Sequence, residues 1–233
     1  MSTWLGRFDS TVPADVFASP PVRDAAPARS QMDIILRSLD VAIAGLALIM
    51  ALPLMLLVVL AMKLFDKGPI LFAHPRVGKD LKLFNCLKFR TMVVDSADRL
   101  DELLERCPVS RETWARDRKL ANDPRITWIG SFLRKSSLDE LPQLVNVLRG
   151  EMSLVGPRPI VMAEVHRYGR YIRTYHSVRP GITGLWQISG RNNISYRRRV
   201  AMDVAFARSL SVPLYLRILG GTVPAVLLAR GSC

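Results

Sequence analysis

Two adjacent carboxylates, Asp139 and Glu140, stand in the segment Ser136-Ser137-Leu138-Asp139-Glu140-Leu141-Pro142-Gln143. Such a pair suits chemistry at phosphorus. One carboxylate attacks a phosphate and its neighbour holds a divalent cation such as Mg²⁺. A plainer reading competes with this one. Ser137-x-x-Glu140 has the form of a capping box, and acids in a first helical turn suit the helix dipole. Pro142 weakens it: with Ser137 as the cap, the proline falls at the fifth helical position, where a hydrogen bond would be lost. With Asp139 as the cap it falls at the third, where none is. Both readings stand on local physics.

Transfer of a phosphoryl group needs charge neutralisation above all, so cations should surround the pair. The candidates are Lys88, Arg90, Arg134 and Arg158, the last held between Pro157 and Pro159. His74, His166 and His176 share no paired spacing and read as structural or surface residues. Cys86, Cys107 and Cys233 lack metal-ligand spacing and read as reduced thiols. The run Arg197-Arg198-Arg199 reads as a solvated or membrane-facing patch rather than a nucleotide site. There is no glycine-rich phosphate loop, dinucleotide fingerprint or nucleophile elbow.

The elements that must position these residues are mostly helical. Ile70 to Ala73 and Leu81 to Leu87 flank the turn Val77-Gly78-Lys79-Asp80, which predicts a β-hairpin. Residues 94–121 carry Leu100, Leu103 and Leu104 at helical spacing. Asn122-Asp123-Pro124 is a turn, Leu141 to Leu148 a helix ended by Gly150, residues 160–178 a helix, and Arg179 to Gly184 a loop. Gly156-Pro157-Arg158-Pro159 is a stiff connection.

Val41 to Met62 is an apolar run without a charge, long enough as a straight helix to cross a bilayer. Pro53 near its middle predicts a kink. Its flanks are nearly symmetric in charge (Arg37 and Asp40 before, Lys63, Asp66 and Lys67 after), which gives no orientation under the positive-inside rule. A helix that enters one leaflet and returns fits both facts; a spanning helix is the alternative. Val212 to Leu228 is apolar but interrupted by Gly220, Gly221 and Pro224, and reads as interfacial helices. Of the 233 residues, 49% are hydrophobic, yet the net charge is +13. Intrinsic disorder is excluded by the first number, and a membrane carrying anionic head groups accounts for both. Aromatic residues are only 7% and do not interleave with the basic ones, which argues against nucleic acid.

Four motifs together resemble the bacterial sugar transferase family, the monotopic polyprenyl-phosphate hexose-1-phosphate transferases. They are Lys88-Phe89-Arg90-Thr91-Met92, Asp123-Pro124-Arg125-Ile126-Thr127, Leu133 to Gln143, and Arg149 to Pro159. The resemblance runs from about Asp33 to Cys233. It implies that Asp139 is a nucleophile forming a phosphosugar-aspartyl intermediate with release of UMP, after which undecaprenyl phosphate accepts the sugar-phosphate. It implies that Glu140, beside Asp139, is a Mg²⁺ ligand, that Arg158 binds phosphate, and that Arg134 and Lys88 support the site. It also implies a re-entrant helix bent at Pro53; the family often places Ser before that proline, where this chain has Leu52.

Gly181 to Asn192 and the ending Pro224 to Cys233 are similar to the short exopolysaccharide-initiating members, the undecaprenyl-phosphate galactose phosphotransferases of succinoglycan synthesis. That makes UDP-galactose the first donor to expect and UDP-glucose the second. The expected architecture is mainly α with a small β-hairpin. Residues 1–31 form a flexible tail, 32–68 the re-entrant membrane helix, and 69–233 a catalytic domain with interfacial helices on the cytoplasmic face of the inner membrane. A homo-oligomer is left open. Two other functions fit the same composition, a lipid glycosyltransferase releasing UDP and a basic membrane-bound binding protein without catalysis.

Overall fold

The structure, a computed structural model, describes residues 27–117, 120, 123–189 and 194–227. Residues 1–26 of the expected tail lie outside the described residues. Helix begins earlier than the expected boundary, at Pro27.

The first helix, α1 (Pro27–Phe65), has 39 residues and runs helically through Pro53. At 1.5 Å per residue its contour is about 58 Å. Leu46, Ile49, Met50, Leu52, Leu54, Leu56 and Leu57 along its middle are all exposed. Its two ends behave differently. In the first half Leu36 and Ala44 are buried in the main core with Leu144, Val147, Leu154 and Ile218. In the second half Val58 and Met62 are buried against Phe89, Ile129 and Leu133. Both ends of this apolar helix thus pack on the same body.

Polar anchors fix both ends. Asp40, 1% exposed, accepts hydrogen bonds at Oδ1 from Ser153 Oγ (2.9 Å), the Leu154 amide (2.7 Å) and Tyr215 OH (2.7 Å). A buried acid is tolerable only with this kind of satisfaction. At the other end Arg90 donates to the carbonyls of Pro69, Met92 and Lys67 and pairs with Asp66 at 3.1 Å.

The hairpin forms as the two apolar stretches flanking a turn predict, with shifted strand bounds: β1 (Leu71–Val77) pairs antiparallel with β2 (Leu83–Phe89). The amphipathic stretch that follows is two helices, α2 (Ser96–Arg106) and α3 (Pro108–Asp117). Pro108 lacks the N–H that a continuing helix would need, so it starts a second one. Helix α4 (Trp128–Ser136) is capped by Thr127, whose Oγ1 accepts from the Gly130 amide at 2.9 Å. After α5 (Gln143–Arg149), Gly150 takes φ 83°, the left-handed geometry that ends a helix at least cost.

Three expectations are corrected beyond this point. Ser153–Val155 is a strand, β3, and it pairs in parallel with β4 (Gly181–Thr183), where a loop was expected. A side chain at Gly181 would run into the backbone of Gly156, so the connection is too tight to show an alternating strand pattern. Residues 160–178 hold only two short helices, α6 (Val165–Tyr168) and α7 (Ile172–His176), separated by a 3-10 turn at Gly169 (φ 50°). The last apolar stretch is one helix, α10 (Val212–Leu227), with Pro224 inside it. Between them lie α8 (Leu185–Ile188) and α9 (Tyr196–Arg208). The architecture is mostly helical with two small two-stranded sheets.

Candidate active site

Neither capping reading of Ser136–Gln143 survives. Ser137 sits in the left-handed region at φ 58° and its side chain caps nothing. Leu138–Glu140 is a single 3-10 turn, and Pro142 itself occupies the position before α5, where no amide is required. Both carboxylates are therefore released from backbone duty.

What they face instead is Lys88. Its Nζ lies 2.6 Å from Glu140 Oε1 and 3.5 Å from Asp139 Oδ2. Lys88 comes from β2 and the acids from the turn before α5, so the site depends on how that strand meets that helix. Asn146, fully buried, makes the junction: Oδ1 accepts from the Leu87 amide at 2.9 Å, and Nδ2 donates to the Asn85 carbonyl at 2.8 Å and to Glu151 Oε2 at 2.6 Å. The far end of α5 is held by Arg37 of α1, which donates to the carbonyls of Val147 (2.6 Å) and Leu148 (2.9 Å). Charge at a helix C-terminus is favourable there as well.

The environment separates the two acids. Burial pushes the Asp139 carboxyl above the ordinary aspartate range, and the neighbouring Glu140 charge adds to this, while Lys88 and Arg134 oppose it. Burial also works against the Glu140 anion, but the Lys88 ammonium, Arg158 and a hydrogen bond with Gln143 outweigh it and hold that carboxyl low. Glu140 is the fixed anion and Asp139 the more basic carboxylate, the property a nucleophile needs.

Of the predicted cations, the structure brings Lys88 onto the pair and places Arg158 and Arg134 within electrostatic reach of it. Arg134 Nε donates to Thr91 Oγ1 at 2.9 Å. Arg90 is not brought to the pair: its guanidinium nitrogens are spent on the clasp at the end of α1. Two carboxylate side chains that stay partly accessible, 12% and 33% exposed, fit Mg²⁺ in its usual protein setting, where substrate phosphates and water complete the shell. No cluster of three or more acids, histidines or cysteines suited to a metal occurs among the described residues.

The run Arg197-Arg198-Arg199 is corrected in part. Arg197 and Arg198 are exposed, but Arg199 turns inward, with Cζ 4.0 Å from the ring centre of buried Trp186. Sequence reasoning missed this, and also Asn146 and Asp40. A helix-periodic sign was available for Arg199, since Val200, Asp203 and Val204 are buried near it in α9. Asn146 and Asp40 gave none, because their partners are remote in sequence. Cys86 and Cys107 are free thiols, while Cys233 lies outside the described residues.

The pattern of the family described as bacterial sugar transferase matches residues 31–229. An exopolysaccharide production protein ExoY of Sinorhizobium fredii is 51% identical over 196 residues, which is 84% of this chain and 87% of that protein. An uncharacterized sugar transferase of Haemophilus influenzae is 51% identical over 85% of this chain, which spans 42% of that protein's length. An undecaprenyl-phosphate galactose phosphotransferase of Salmonella typhimurium is 47% identical over 84% of this chain, which spans 41% of its length.

Proposed function

The chain belongs to the bacterial sugar transferase family, and we propose that it is a phosphoglycosyl transferase moving hexose-1-phosphate from a UDP-sugar to undecaprenyl phosphate as the first step of exopolysaccharide synthesis. The observation that carries the reading is the Lys88–Glu140–Asp139 contact: two acids free of capping, one cation between them, and Asp139 left the more basic.

Asp139 attacks the β-phosphorus of the donor, and the bond from that phosphorus to the bridging oxygen breaks. The electron pair leaves on UMP and the sugar-phosphate stays on the carboxylate. Undecaprenyl phosphate then attacks the same phosphorus and restores Asp139. Lys88 keeps Glu140 anionic and steadies the Asp139 carboxylate. Glu140 with Asp139 would hold Mg²⁺, which supplies charge neutralisation for the phosphate oxygens. Arg158 and Arg134 add positive charge around the transferred group.

The lipid acceptor requires a membrane, and α1 supports one. Its middle is apolar and exposed while both ends pack on one body, which supports entry into and return from a single leaflet; Pro53, inside the helix, is the turning point we propose. The cytoplasmic face of the inner membrane is where a UDP-sugar is available to such a site. Galactose is the first donor we propose, in keeping with the name of the Salmonella relative, and glucose the second. The deciding experiment gives the purified protein undecaprenyl phosphate, Mg²⁺ and a panel of UDP-sugars. UMP should be released with one hexose preferred; UDP would identify a lipid glycosyltransferase and overturn the proposal.

A further inference from the structure

Three buried polar atoms that lack a hydrogen-bond partner belong to one cluster: Trp186 Nε1, Arg199 Nε and Tyr196 OH. Trp186 is only 3% exposed. Arg199 Cζ lies 4.0 Å from the Trp186 ring centre and 5.6 Å from that of Tyr196. Arg158 Cζ is 6.0 Å from the same indole. Buried donors are nearly always satisfied, so several left open at one place point to an absent acceptor.

The charges agree. Two guanidinium groups approach one indole, and among the described residues neither has an ion-pair partner. Of the acids nearby, Asp203 accepts from Tyr168 OH at 2.7 Å and Glu164 from the Val161 amide at 3.1 Å. Burial and the Arg158 charge both work against protonated Arg199. Arg158 also acts on Glu140, so the cluster adjoins the carboxylate pair. An anion between the two arginines would relieve their repulsion and accept from the open N–H groups.

We propose that Arg199, stacked on Trp186, forms with Arg158 a subsite for the α-phosphate of the nucleotide, the group that departs as UMP. This rests on the sugar-phosphate transfer proposed above. As the Asp139–phosphorus bond forms and the bridging P–O bond breaks, the α-phosphate gains one negative charge. Arg199 is placed to meet that charge while Arg158 spans the two phosphates.

The test measures binding of UMP and of uridine to the full-length protein in detergent. In R199Q the UMP affinity should fall by about tenfold to a hundredfold, as expected for loss of a hydrogen bond to a charged group, while uridine binding is unchanged. R199K should recover part of the loss, and R198Q, altered at an exposed neighbour, should match the wild type. Unchanged UMP affinity in an R199Q protein with wild-type melting temperature overturns the subsite. If R199Q does not fold, W186F decides, since it keeps the ring packing and removes the N–H: weaker UMP binding is expected, and wild-type binding overturns the subsite. If the wild type releases UDP in turnover, the proposed transfer fails, yet UMP binding by these variants still decides the subsite.

Discussion

Lys88 Nζ lies 2.6 Å from Glu140 Oε1, and through that contact a strand and a helix turn meet at a charge pair. Asp139 is 3.5 Å from the same ammonium. One cation therefore restrains the repulsion between two neighbouring acids. Lys88→Met should cut turnover by about a hundredfold or more, the scale of losing one oriented charge at a phosphoryl centre. UMP release under saturating substrates measures it; a loss of less than about threefold would remove Lys88 from the site.

Asp139→Asn should abolish turnover while the protein still inserts into membranes. The amide is nearly the same shape but cannot form the covalent intermediate. Radiolabelled sugar-phosphate should attach covalently to the wild type and not to the variant. Retained turnover in the variant would remove Asp139 from the nucleophile's role.

Asn146→Ala should lower stability by about 2–5 kcal/mol, since it strands a buried amide and carbonyl of β2. Thermal unfolding in detergent reads this directly. Turnover should also fall, because Lys88 follows Leu87, whose amide loses its acceptor.

Asp203 gives a pH-dependent prediction. Burial raises its carboxyl from the ordinary value to about 7, against the opposing hydrogen bond from Tyr168. The native state then holds a proton that the unfolded chain has released. The stability this one group contributes is fully present below pH 3.8, declines as pH rises toward about 7, and is gone above it. The slope is at most about 1.4 kcal/mol per pH unit. Between pH 5 and 8 the wild-type melting temperature should lose ground relative to that of Asp203→Asn, whose own trend is set by His74 and His176, both held low by burial. Equal slopes would contradict the assignment.

Cysteines placed at Ser38 and Lys67 should be labelled from the same membrane face if α1 enters and returns. Labelling from opposite faces would identify a spanning helix.

The chemistry was more legible than the architecture. Asp139, Glu140, Lys88 and Arg158 lie in motifs that resemble the family's, and that resemblance, not local physics, singled them out. The hairpin showed its two apolar stretches around a turn, and Gly150 its helix end. β3 and β4 were hidden because three-residue strands, wholly or mostly buried, are too short to carry a period. Arg90 was misleading: a conspicuous arginine near the site is spent on carbonyls and Asp66. Arg199 was obscured by two exposed neighbours of the same type, since a run of like residues conceals which one turns inward.

The Asp40–Tyr215 hydrogen bond joins residues 175 positions apart. At roughly 5–20 residues per second, the ribosome makes the acid some 9–35 s before its tyrosine. Through that interval the apolar helix is already synthesised, but the knot that ties it to β3 and α10 is incomplete. Closure of the catalytic body is therefore a late event of biosynthesis, and a chain truncated before Tyr215 would leave Asp40 without its last donor.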